Sequence, residues 1–267
     1  MVDGMDATAV TSEKGGAGKT TVVVGLAAAL AHDFGLRVGV VDLDPRSTAT
    51  AWLGVEPPPG RHIGVILGQD DVAGAAAELA LPSPWPADIS VLAGSRDVAA
   101  LEGMPQEYGD VRLRHALLGW DRDVVLTDTP NRQGGFIIRV ALTACSRVIY
   151  ATTAGEDERA GVAWARSNVE RFRRLSPLNP GITEAGVIVT DWKTTVPSRD
   201  AKSCLAALAE ENGDLLMQPL VPQRVIVREA RSSESWWGMV PKGAPVADAF
   251  RALARQLWPN LTEGETR

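Results

Sequence analysis

The sequence is poor in cysteine. Its two, Cys145 and Cys204, lie far apart and lack the close spacing that holds a zinc ion or an iron–sulfur cluster. They read as reduced core thiols of a cytosolic protein. Long apolar runs are missing too: none approaches the roughly 20 residues of a membrane-spanning helix. The start, Met1 to Asp6, carries two acids and no apolar stretch, unlike a secretory leader. The end, Pro259 to Arg267, has two glutamates and one arginine, unlike the basic amphipathic helix that lies on a membrane surface. Positive charge is in deficit, with a net charge of −6 and a pI near 5.2. Any contact with nucleic acid must therefore use a local basic patch. No internal repeat is evident.

What is present is ordinary for a globular chain: 45% hydrophobic and 22% charged residues over 267 positions, enough for one large core. Short β-branched runs alternate with helix-like runs. Strands are predicted at Ala7 to Val10, Leu36 to Val41, Ile89 to Leu92, Asp123 to Asp128, Arg147 to Ala151, Ala185 to Thr190 and Leu215 to Leu220. Helices are predicted at Val22 to Ala31, within Ile63 to Leu81, from Val98, and at Val111 to Leu118, Phe136 to Ala144, Glu156 to Leu175, Arg199 to Leu208 and Val246 to Trp258. Alternation of this kind predicts an α/β fold: a mostly parallel twisted sheet with helices on both faces, as a single domain over 1–267. Helical spacing puts Val162, Trp164 or Ala165, Val169 and Phe172 in the core, and Val246, Ala249, Phe250, Leu253, Ala254 and Leu257 on one face. Arg112, Arg114 and His115, and Arg166, Arg171, Arg173 and Arg174, read as solvated faces. Trp236 and Trp237 read as core or interface packing.

The chemistry is concentrated in Lys14-Gly15-Gly16-Ala17-Gly18-Lys19-Thr20-Thr21. A strand precedes it and a helix follows, the context of a phosphate-binding loop. Glycines let the backbone curl so that successive N–H groups face phosphate oxygens, and the helix N-terminus adds partial positive charge. In such a loop Lys19 reaches the β- and γ-phosphates and the Thr20 hydroxyl ligates Mg²⁺. Two further elements end in acids. Asp42-Leu43-Asp44-Pro45-Arg46 follows one strand, and Asp128-Thr129-Pro130-Asn131 follows another. Strand C-termini are where α/β sheets bind ligands. Alone, each acid would read as a turn or cap; behind this loop, Asp128 reads as the Walker B acid that holds Mg²⁺ or its water.

Glu13 stands where the standard loop has its first Gly, and Lys14 lies five residues before Lys19. In this the chain resembles the deviant Walker A family, which holds the ParA partition ATPases, the MinD division-site ATPases, the nitrogenase iron protein and the arsenite pump ATPase. Asp42 to Arg46 and Asp128 to Asn131 resemble the second and third motifs of ParA proteins, with Arg46 in place of Gln and Asn131 in place of a second Pro. Gly134-Gly135 fits a moving loop after the third motif. The resemblance implies that Lys14 crosses a dimer interface to the partner's nucleotide. It implies that Asp44 helps position the attacking water and that Asp42 contacts the Mg²⁺ shell or Lys14. Thr190, Asp191 and Pro222 would flank the adenine. The guanine-reading Asn-Lys-x-Asp is absent, which favours ATP.

The implied function is ATP-dependent segregation of a plasmid or chromosome by a cytoplasmic, nucleoid-associated homodimer. ATP closes the dimer, the dimer binds DNA nonspecifically, and a ParB-like centromere-binding protein stimulates hydrolysis and releases it. No helix-turn-helix segment precedes the loop, so sequence-specific autoregulation is not expected. The best DNA-binding cluster is Arg224, Arg228 and Arg231, with Lys193, Arg199 and Lys202 as possible neighbours; Glu229 and Glu234 leave a mixed solvated surface as the alternative. From another class, a dethiobiotin synthetase-like ATP-dependent ligase could share the fold and the loop.

Overall fold

A computed structural model of the chain describes residues 5–85, 87–104, 107–132, 134–225, 227 and 236–262. Among the described residues seven strands form one sheet: β1 (Asp6–Thr11), β2 (Val38–Asp42), β3 (Leu81–Pro82), β4 (Ile89–Leu92), β5 (Val124–Asp128), β6 (Arg147–Thr152) and β7 (Thr183–Val189), in the order β3-β4-β2-β5-β1-β6-β7. All neighbours are parallel except the two-residue edge strand β3. Every residue of β2 and β5 is buried, because helices cover both faces of a parallel sheet.

Ten α-helices accompany the strands among the described residues: α1 (Lys19–Ala28), α2 (Thr48–Trp52), α3 (Ile63–Gly68), α4 (Ala75–Leu79), α5 (Val98–Leu101), α6 (Arg112–Ala116), α7 (Phe136–Ala144), α8 (Glu156–Leu175), α9 (Arg199–Asn212) and α10 (Ala244–Leu257). Alternate strand residues feed two cores, as the period of two requires. Val40, Val124 and Leu126 pack with α1 and α10, whereas Val41 and Val125 pack with α3, α6, α7 and α8. The expected apolar face of α10 is buried throughout, and on α8 Ala165 takes the inward place while Trp164 is exposed. Trp236 and Trp237 are core, with ring centroids 5.3 Å apart and Phe250 5.8 Å from Trp237.

Two expectations are corrected. Leu215 to Leu220 is not a strand; it touches β7 through a bridge at Leu216 and the bonds Met217 N–H to Val187 O and Val221 N–H to Val189 O. Pro219, between them, has no N–H to continue a ladder. Arg112 is buried rather than solvated: it donates to Leu67 O at 2.6 Å and to Asp70 at 2.6 Å, so it ties α3 to α6.

A close contact between helices lies where α1 meets α10. A methyl added at Gly25 would sit 2.3 Å from the Phe250 ring, so only glycine lets the two helices approach this closely. Gly25→Ala is expected to cost about 2 kcal/mol through overpacking. The cost should shrink when Phe250 is Leu, a coupling that urea unfolding of the double-mutant cycle measures.

Candidate nucleotide-binding site

The site gathers at the C-terminal ends of β1, β2, β5 and β7. β1 runs into the glycine loop and α1 starts at Lys19. Gly16 (φ 82°) and Gly18 (φ 83°) adopt left-handed backbone, which glycine takes without strain. Gly18 also lies against Thr190: an added Cβ would be 2.2 Å from its hydroxyl. Gly15 and Gly16 are exposed, Ala17 is buried, and Thr21 is half-buried.

Lys19 is buried, and its ammonium donates to Ser12 Oγ at 3.0 Å and to Asn131 Oδ1. Burial lowers its pKa, while the charges of Asp128 and Asp44 pull the other way. The Thr20 hydroxyl donates to Asp128 Oδ2 at 2.7 Å. Asp128 is wholly buried and its other oxygen, Oδ1, has no hydrogen-bond partner. Burial, reinforced by the neighbouring Asp42 charge, pushes its carboxyl up to about 8.

The chain turns immediately after β2, so Asp42 and Asp44 do not sit on opposite faces of a strand. Asp42 Oδ1 accepts from the Asp44 N–H at 3.1 Å. Its Oδ2 accepts from the Thr50 N–H at 2.9 Å and the Thr50 hydroxyl at 2.8 Å, which satisfies a free N–H in the first turn of α2. Burial pushes Asp42 up to about 6. Asp44 is gripped by Arg46, whose Nε and Nη2 donate to its two oxygens at 3.1 and 2.8 Å. Burial alone would raise the Asp44 pKa, but the Arg46 hydrogen bonds outweigh it and hold it below the ordinary range. Lys14 turns out of its own loop and pairs with Asp157 on α8 at 2.6 Å, away from Asp42.

A cavity of about 220 Å³ opens beside the loop, lined by Gly16, Gly18, Thr190, Asp191, Pro222 and Trp52 among others. The three residues expected at the adenine thus share one cavity with the loop glycines. Asp191 holds a left-handed backbone (φ 57°), fixed by Trp192 N–H to Val221 O at 3.0 Å and Gln223 N–H to Trp192 O at 2.8 Å. Arg224, at the rim, donates to Gln223 O and to Thr194 Oγ1. Arg228 and Arg231 lie outside the described residues.

Ser12, Thr50, Trp52 and the contacts of Arg46 and Asn131 were not legible as site residues. Ser12 and Trp52 adjoin the motifs, the only signal that could have found them. Glu102 was missed as well: its carboxylate accepts from the first N–H groups of α7, Phe136 at 3.0 Å and Ile137 at 3.3 Å.

The Thr20 hydroxyl and the unpartnered Asp128 oxygen form a hard-oxygen set that fits Mg²⁺. Among the described residues no cluster of three or more acidic, His or Cys side chains could hold a metal by itself, so phosphate oxygens and water would complete the shell. No described helix is long and apolar enough to cross a membrane.

The Asp128 carboxyl carries a pH signature. It is protonated in the fold up to about pH 8 but ionises near 3.8 when unfolded. Between those values the unfolded chain binds fewer protons, so stability falls as pH rises. The nucleotide-free protein is expected to melt at a lower temperature at pH 8 than at pH 5, and Asp128→Asn should flatten that dependence in melts followed by circular dichroism. Parallel pH profiles would show an ionised Asp128.

The profile of the CobQ/CobB/MinD/ParA nucleotide binding domain matches residues 8–235. The chromosome-partitioning ATPase Soj of Thermus thermophilus is 30% identical over 257 residues, spanning 96% of each chain. The sporulation initiation inhibitor protein Soj of Bacillus subtilis is 30% identical, over 85% of this chain and 86% of that one. Among solved structures, an ATP complex of a Cyanothece McdA variant superimposes with a TM-score of 0.84 at 19% identity, covering 98% of this chain and 99% of that one. Cobyrinic acid a,c-diamide synthase from Mycobacterium smegmatis with ADP and magnesium gives 0.76 at 25% identity, with 98% and 99% covered. Glycine loop, buried lysine, strand-end acids and sequence similarity agree: the chain belongs to the CobQ/CobB/MinD/ParA nucleotide-binding family, and within it to the ParA/Soj-like P-loop ATPases.

Proposed function

We propose that this chain is an ATP-hydrolysing DNA partition protein that works as an ATP-closed homodimer. The observation that carries the reading is the division of labour between the two lysines. Lys19 is buried among Ser12, Asn131 and the site acids, whereas Lys14 projects outward to an exposed acid on α8. A cation that leaves its own loop is free to exchange Asp157 for a partner's phosphate.

In this reading the 220 Å³ cavity takes the adenine, with Thr190, Asp191 and Pro222 against it, and the loop N–H groups take the phosphates. Thr20 and Asp128, with Asp42 opposite Asp128 in the sheet, would hold Mg²⁺, which would supply charge neutralisation at the phosphates. Lys19 and Lys14 add positive charge where negative charge develops. Asp44 orients a water whose oxygen bonds to the γ-phosphorus as the bond to the β–γ bridging oxygen breaks, giving ADP and phosphate. Arg46 bonds both Asp44 oxygens, and Oδ2, which takes one hydrogen bond from it, keeps a lone pair for that water. DNA contact uses Arg224 with Arg228 and Arg231, doubled by dimerisation, and a ParB-like partner triggers hydrolysis and release. The protein then acts in the cytoplasm at the nucleoid.

Lys19→Ala is expected to lose ATP affinity in calorimetric titration. Lys14→Ala should bind ATP yet fail to dimerise with it in light scattering; an ATP-dependent dimer in that variant would remove the trans role. Nonspecific DNA should raise the ATPase rate, and DNA affinity should fall with salt at a log–log slope of about −0.9 per phosphate neutralised. The diamide synthase likeness keeps one other reading in view, an ATP-dependent biosynthetic ligase of the dethiobiotin synthetase-like type. A rate indifferent to DNA, combined with no DNA binding in ATP, would favour that ligase.

A further inference from the structure

Besides Ser12, the side chain that accepts from Lys19 is not an acid of the site but Asn131, in the segment after β5. Its carboxamide is wedged into the glycine loop. Oδ1 accepts from the Lys19 ammonium, and Nδ2 lies 3.3 Å from where a Cβ on Gly15 would be. The segment that carries it is pinned. Thr129 is buried and its hydroxyl donates to Val10 O at 2.9 Å; Pro130 is buried; and Asp128 O accepts from the Leu43 N–H at 2.9 Å. Asn131 therefore projects from a fixed point, one side chain's length from the lysine that contacts the outer phosphates in a loop of this kind.

We infer that Asn131 is a catalytic residue that reads the γ-phosphate, an inference that rests on the ATP-site reading above. A carboxamide offers one acceptor and two N–H donors. In this state the acceptor serves Lys19. A phosphoryl oxygen belongs to an anion and is the stronger acceptor for an ammonium, so ATP displaces Oδ1 from Lys19. The displaced carboxamide remains beside Gly15 and turns its N–H donors to the outermost phosphoryl oxygen. Because the backbone on its N-terminal side is pinned, that donor is positioned before the chemistry begins, as electrostatic stabilisation of a transition state requires. ADP has no oxygen at that place, so Asn131 discriminates the triphosphate from the diphosphate. Proline at this position could do neither, having no donor.

The experiment compares wild type with Asn131→Ala and Asn131→Gln, measuring Kd for ADP and for the slowly hydrolysed ATPγS, both with Mg²⁺, and single-turnover hydrolysis of ATP. Deleting the carboxamide also frees Lys19 for either nucleotide, so the ratio of the two Kd values is the readout. Asn131→Ala should lower the preference for ATPγS over ADP about tenfold, the scale of one hydrogen bond to a charged group, and slow hydrolysis about 100-fold. Asn131→Gln, which keeps both donors on a longer arm, should recover part of each. If Asn131→Ala keeps the preference and the rate within twofold of wild type, Asn131 does not touch the γ-phosphate, and the ATP-site reading stands without it. If wild type binds neither nucleotide while Asn131→Ala and wild type melt alike, the ATP-site reading itself fails and takes this inference with it.

Discussion

Everything at the site follows from carrying charge into the ends of a buried parallel sheet. Lys19, Asp42, Asp44 and Asp128 are all buried, and isolated ions there would be strongly destabilised. The fold gives them local hydrogen-bond partners. Thr50 and the chain's own N–H groups satisfy Asp42, Arg46 satisfies Asp44, and Ser12 and Asn131 satisfy Lys19. Asp128 alone of the four keeps an unpartnered oxygen, and burial, with the Asp42 charge beside it, raises its pKa. A nucleotide with its cation would complete what the protein leaves open.

The two departures from the ParA pattern are the two side chains that hold Asp44 and Lys19, groups given a part in the proposed reaction. Arg46 grips Asp44, and Asn131 holds Lys19. Both contacts are made by neutral or cationic donors and acceptors that phosphate or water can replace, so the site is filled by groups that can give way. Asp42 differs. Its three hydrogen bonds run to α2 and to the turn after β2, which makes it the fixed point on which Asp44 is mounted.

The scaffold that holds this arrangement is equally specific. α1 carries Lys19 and Thr20 and is buried on all sides between the sheet and α10. Its position is set by the missing side chain at Gly25, against which Phe250 packs. Trp237 joins Phe250 to Trp52, 6.4 Å away, and Trp52 lines the candidate nucleotide cavity. The packing core and the candidate base pocket therefore share a wall.

The sequence by itself determined the periodicities and the motif spacing. Apolar runs with period two or near 3.6 located six of the seven strands and nearly all of the helices. The Gly-rich loop and the acids at two strand ends marked the candidate site, because those features are local in the chain. Tertiary structure decided what depends on distant partners. Arg112 is charged, and nothing nearby in sequence shows that Leu67 O and Asp70 await it. Leu215 to Leu220 is apolar enough for a strand, but strand formation needs a ladder that Pro219 interrupts. Asn131 is 112 residues from Lys19, and no local pattern pairs them. Only the parallel register of β1 beside β5, Val10 opposite Asp128, brings the segment after β5 over the glycine loop.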